Sequence, residues 1–173
     1  ATQGGSTEMA EQYALDRITD ERTARIALSY MVPPGSEITG RFLRDYGAVE
    51  TLRFALDGSP NGLDSTTLSY WRGYVSGYDP VRVAQGIRLA EEQGLTALIP
   101  DDANWPVALN ALGTGAPILL WVRGSRLELL TQPNHERVSI VGARAASGRG
   151  MYDADQLAVG LSLRDICIVS TAS

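Results

Sequence analysis

A short run of mostly β-branched residues, Val138-Ser139-Ile140-Val141, leads into a glycine-bearing turn from Gly142 to Gly150. A helical stretch across 150–163 follows, and then a second apolar run at 166–169. No other feature of the 173-residue chain restricts its fold as much. Strand, turn, helix and strand in that order make a βαβ unit, and the right-handed crossover rule makes the two strands parallel. Ala154, Leu157, Ala158 and Leu161 share one face of the intervening helix, which gives it a side to pack.

Upstream of residue 95 the rhythm is helical. A helical pattern runs from about Glu8 to Met31, with Asp20 placed to cap its second part. Val32-Pro33-Pro34-Gly35 breaks it. Ser36 is placed to cap a helix through Arg41–Tyr46, Gly47 to end it, and Val49 to Leu56 to form another. Residues 57–78 are rich in Gly, Ser and aromatics and read as a connection. Asp79-Pro80 starts a helix that Gly94 stops. Strands are expected at 95–99, 118–122, 127–130, 137–141 and 166–169. The fold class is therefore α/β: a helical module with its connector over 1–78, then an α/β domain over 79–173.

Charge narrows the partners. All fifteen basic residues are arginine, and the net charge is −5, so the chain is no general polyanion binder. From Trp121 to Gly150, however, five arginines face only two glutamates. If a phosphate-bearing ligand binds, that window is where it is expected. Cys167 has no second cysteine to pair with, which agrees with a reducing cytoplasm. With His135 as the lone histidine, a structural zinc site is not expected. No apolar run approaches the roughly 20 residues of a membrane span, and residues 1–12 do not read as a signal peptide. The chain opens at Ala1 rather than Met, so a processed or trimmed start is expected.

The turn after Val141 has the parts of a phosphate site. Backbone N–H groups and the helix dipole favour an anion where a strand end feeds a helix start. Gly142 lets a backbone approach closely, Arg144 offers a planar charged fork, and Ser147 caps the helix or donates to a phosphate oxygen. The spacing fits neither a dinucleotide-binding glycine motif nor a Walker A loop. Taken by itself, the loop is equally what ordinary turn chemistry looks like.

Three segments carry a resemblance. Residues 104–124 (NWPVALNALGTGAPILLWVRG) resemble the aromatic-Pro-x-x-Leu segment, Leu-rich turn and Arg-Gly strand end of the DprA/Smf family of DNA-processing proteins. Residues 138–150 (VSIVGARAASGRG) resemble that family's Gly-Ser-Arg motif and the helix start after it, and Ile168-Val169-Ser170 its next strand. Residues 24–56 resemble its N-terminal helical module, of the SAM/helix-hairpin-helix-like kind. The resemblance implies an extended Rossmann-like, mainly parallel sheet that binds single-stranded DNA, loads RecA recombinase onto it and forms a homodimer. It implies a role in DNA uptake by transformation and in recombination, with no enzymatic step and no cofactor. The implied DNA- and phosphate-binding residues are Gly142, Ala143, Arg144, Ser147, Arg149 and Ser170. Ala143 stands where the motif has Ser, and Thr171 where Gly is usual, so one hydroxyl donor is missing. The family's sheet continues past the position of Ser173, so the domain is expected to be incomplete at its C-terminus.

The competing function is a nucleotide-binding sensor or a phosphoribohydrolase-like enzyme on the same scaffold. That reading needs a carboxylate at the site, and Asp153 and Asp155 are expected on the helix surface instead. Trp105 beside Pro106 reads as a core anchor, or as a base-stacking ring. Tyr70, Trp71, Tyr74 and Tyr78 read as packing between modules, or as a stacking platform. Asp101-Asp102 reads as a capped turn rather than a Mg²⁺ site, His135 as exposed and Cys167 as inert core. Arg41 and Arg44 are candidates to help the helical module grip DNA, against a structural role.

Overall fold

The computed structural model describes residues 13–56, 64–143 and 145–170. They form α-helices α1 (Glu21–Ser29), α2 (Glu37–Leu56), α3 (Ser65–Val75), α4 (Pro80–Glu92) and α5 (Gly148–Ser162). Between them lie strands β1 (Thr96–Leu98), β2 (Leu120–Val122), β3 (Arg137–Ser139) and β4 (Cys167–Val169). Packing divides the chain into two compact units, 1–125 and 126–173. The division falls inside the stretch that the sequence assigns to one α/β domain.

The first unit owes its helices to local signals. Asp20, Asp64 and Asp79 each accept a backbone N–H at the start of α1, α3 and α4, and Pro80 opens α4. Gly47, with φ of +77°, breaks α2 where the sequence places a helix end. The restart after the break is capped from another helix: the Glu21 carboxylate accepts the Ala48 N–H at 2.9 Å. Its other oxygen accepts from Arg25 Nε at 2.8 Å, and Arg25 Nη1 donates to the Ile118 carbonyl at 2.9 Å. One short polar chain thus ties α1, the break in α2 and the approach to β2.

Two apolar clusters fill this unit. One gathers Ala27, Leu28, Phe42, Leu52 and Trp71, with Trp71 edge-on to Phe42 at 5.0 Å. Trp71 is 1% exposed, and its indole N–H donates to Thr39 Oγ1 at 2.9 Å, so its single polar atom is satisfied. The other cluster joins Ile26, Val83, Ile87, Ala97, Ile99 and Leu119, bringing α1 and α4 onto the antiparallel pair β1–β2. Trp105, 1% exposed, is the core anchor rather than an exposed stacking ring. Asp102 behaves as turn chemistry: it accepts from the Ile99 N–H at 2.8 Å and takes a two-point contact from Arg22.

Several expectations change. Residues 65–75, expected within a connection, form α3; Leu68, Trp71 and Val75 make its buried stripe at helical spacing. Residues 57–63 of that connection, and residues 1–12, which include the start of the first helical pattern, lie outside the described residues. Leu127–Thr131, expected as a strand, is a 3-10 turn. Its Leu-Glu-Leu-Leu content favours a helical backbone over an extended one. The aromatic cluster divides: Trp71 is core and Tyr78 half-buried, whereas Tyr70 and Tyr74 are exposed, edge-on at 5.3 Å with their hydroxyls hydrogen-bonded.

The second unit is the βαβ element. β3 and β4 pair in parallel, with Arg137 opposite Cys167, Val138 opposite Ile168 and Ser139 opposite Val169. α5 lies between them in sequence, as the crossover pattern requires. Cys167, expected as inert core, is only half-buried, because a two-stranded pair beside one helix leaves a face uncovered.

Candidate functional site

The turn after β3 is where a parallel pair delivers its chemistry. The Ile140 N–H donates to the Val169 carbonyl at 2.9 Å, which carries the pairing one residue past β3. Because the strands are parallel, both leave the sheet at the same end. Gly142 and Ala143 after β3, and Ser170 after β4, therefore share that end, and all three are exposed. Ser147 caps α5: its Oγ accepts the Gly150 N–H at 3.2 Å. That bond satisfies one of the four N–H groups that a helix start leaves over.

Gly142 is not demanded by the fold. A Cβ at this position meets no atom within 4 Å, and its φ is not positive. At Gly40, by contrast, a Cβ would come 1.8 Å from the Thr114 carbonyl oxygen. The surface at Gly142 is open, so internal packing does not explain the glycine. Arg149 projects from the first turn of α5, 91% exposed, with Nε 3.7 Å from Asp153 Oδ2. Asp153 and Asp155 both sit on the exposed surface of α5. Arg144 lies outside the described residues. The structure thus groups Gly142, Ala143 and Ser170 at one strand end and puts Ser147 and Arg149 at the helix start that follows. Among the described residues, no three His, Cys, Asp or Glu side chains come together as metal ligands. No helix there is long and apolar enough to cross a membrane. His135 is exposed, 3.6 Å from Glu136.

The first unit holds a feature without any motif. A cleft of about 350 Å³ is lined by Arg25, Leu43, Arg44, Trp105, Asn110 and Thr114, among others. Arg25 reaches it from α1, Leu43 and Arg44 from α2, and the rest from the segment after β1. The helical spacing of α1 marks Arg25 only as a cation beside a buried stripe. Nothing in the sequence alone signals that it shares a cleft with Asn110.

A glycine turn at the carboxyl end of parallel strands, feeding a capped helix, is the ligand-bearing end of open α/β proteins. Residues 96–172 match the sequence model of DNA recombination-mediator protein A. Over that stretch the chain is similar to the DprA family of DNA-processing proteins. Two curated relatives, from the CDC 1551 and H37Rv strains of Mycobacterium tuberculosis, each carry the name putative DNA processing protein DprA. Each is 34% identical over 100 residues, covering 51% of this chain and 25% of the relative. The matched part of this chain thus spans about a quarter of the length of those relatives. No solved structure matches the chain.

Proposed function

We propose that this protein processes DNA for recombination by binding single strands at the carboxyl end of the β3–β4 pair. The observation that carries the reading is Gly142: a glycine at an exposed strand-to-helix turn that neither packing nor backbone conformation requires. An open backbone there admits a sugar-phosphate chain, with Arg144 and Arg149 supplying charge and Ser147 and Ser170 supplying hydroxyls. In this reading the pair belongs to a Rossmann-like sheet, and the protein acts as a non-enzymatic homodimer. It hands its strand to a recombinase of the RecA class in the cytoplasm, during DNA uptake or recombination. Arginine and backbone N–H groups grip phosphate rather than base edges, so little sequence preference follows.

Titration with labelled oligonucleotides, single against double stranded and across salt, tests it. Arg144→Ala should weaken single-strand binding by about 1–3 kcal/mol, the scale of a lost charge-assisted bond. It should also lower the salt slope by about one phosphate contact. Unchanged affinity and slope would remove the loop from the mechanism. A preference for duplex would overturn the single-strand reading.

A further inference from the structure

The cleft in the first unit is lined by two arginines and by apolar residues, and nothing in the strand-binding reading uses it. Its walls are fixed. Gly40 of α2 packs so closely on Thr114 that no Cβ fits between them. Trp105 is buried, and its indole N–H donates to Asn110 Oδ1 at 3.1 Å. That bond turns the Asn110 amide oxygen inward and leaves its NH₂ group as a donor. Pro100 and Pro117 complete the apolar lining.

Arg25 is the anchor. Its side chain is 12% exposed, and its orientation is set by Glu21 and by the Ile118 carbonyl. Those bonds use Nε and Nη1, so among the described residues Nη2 has no protein partner. A guanidinium held in place by a carboxylate, with donors still unused, is preorganised for a second anion. At the rim, Arg44 is 63% exposed and paired with its own neighbour, Asp45, at 2.8 Å. That pair is solvated and weak, so an incoming anion can draw the guanidinium away. Glu21 and Asp45 are engaged with these arginines, and among the described residues no carboxylate lines the cleft. Its volume lies at the lower end of the range for small-ligand sites, about 300–1,000 Å³.

We propose that this cleft binds a nucleoside monophosphate group, with the phosphate on Arg25 and Arg44 and the base against Leu43, Pro100 and Pro117. The group arrives either as a free mononucleotide or as the 5′-phosphorylated end of a strand. The site lies in residues 25–117, apart from the loop at 142–149, so it stands or falls independently of the proposed strand binding.

Calorimetry on the intact chain tests this with deoxyadenosine monophosphate, deoxyadenosine, inorganic phosphate, and a short oligothymidine with and without a 5′-phosphate. The Trp105 indole N–H resonance reports the location. The mononucleotide or the phosphorylated strand end should bind saturably, with Kd below about 1 mM, and shift that resonance. Whichever of the two binds more tightly identifies the source. Deoxyadenosine and inorganic phosphate should each bind at least about tenfold more weakly, since each keeps half of the contacts. Arg44→Ala, and Ala116→Trp to fill the cleft, should each weaken binding about tenfold or more with the thermal midpoint kept. No saturable binding, binding that survives both substitutions, or inorganic phosphate binding as tightly as the nucleotide would overturn the proposal.

Discussion

The two compact units solve the same problem to different degrees. In residues 13–125 every helix finds an apolar partner, and Trp71, Trp105, Phe42, Leu28 and Leu52 are sealed from solvent. Among the described residues from 126 to 170, none is buried. Leu163 is 81% exposed, and Val141, Tyr152 and Met151 are also open. Yet the second unit is locally well specified: a capped helix, a parallel pair and a firm register. Parallel strands belong to sheets covered on both faces, and two strands with one helix leave a face open. Local signals therefore suffice to form elements, whereas burial, which supplies most stability, depends on what those elements meet.

Truncating a core side chain in each unit tests that contrast most sharply. Trp71→Ala should cost about 3–5 kcal/mol, because it empties a sealed site and removes the indole bond to the Thr39 hydroxyl. Leu161→Ala, on half-buried ground in α5, should cost about 1 kcal/mol or less. Denaturant melts of the two variants check the ratio. Equal losses would mean that the second unit is packed as firmly as the first. Next comes Gly40→Ala, where the clash is with backbone and no side-chain rotation relieves it. A loss of about 1–3 kcal/mol is expected, from melts of the same kind.

The contrast also explains what the sequence made legible. Caps and breakers act over a few residues, so Asp20, Gly47, Asp79-Pro80 and Ser147 all sit where the pattern puts them. α3 was obscured because Gly, Ser and Tyr on its outer face dilute the Leu68, Trp71 and Val75 stripe. The 127–131 turn is hidden because an apolar run looks alike in a strand and in a helical turn. The strand-end site was legible as a motif. The Arg25 cleft was not: its lining runs from Arg25 to Pro117, and only tertiary packing joins the two.

Charge gives a prediction confined to the first unit. The Arg22 guanidinium beside Asp102, with help from the Ile99 N–H, holds the Asp102 carboxyl below the usual aspartate range. A depressed folded value means that this stability is present above the unfolded value, near pH 4, and is lost as pH falls through the folded one. Arg22 is 43% exposed, so solvent screening limits the contribution to about 1–2 kcal/mol. Asp102→Asn should therefore lower the thermal midpoint at pH 7, and the two melting curves should converge as pH drops below about 4. A gap that stays constant down to pH 2 would show that the amide loses packing or geometry rather than charge. Tyr78, whose hydroxyl donates to the Tyr13 carbonyl at 2.7 Å, has its pKa pushed up to about 12 by burial and stays neutral throughout that range.

The smallest effect falls in the second unit and separates its local order from its packing. Ser147→Ala removes the side-chain cap at the start of α5, the bond from the Gly150 N–H to Ser147 Oγ. The cap is exposed, so water replaces part of what is lost, and about 0.5–1 kcal/mol is expected, the low end for N-caps. Global melts governed by the first unit's core would barely register so small a change. Amide exchange of residues 148–153 should register it, because local opening of an unburied helix responds to its own cap. Faster exchange confined to the first turn of α5, with β1 and β2 unchanged, is the expected result. If α1 and α4 exchange faster as well, the two units open together and the division after Ser125 has no energetic meaning. If nothing changes, α5 is held by its packing, and the open apolar surface of the second unit is covered in solution.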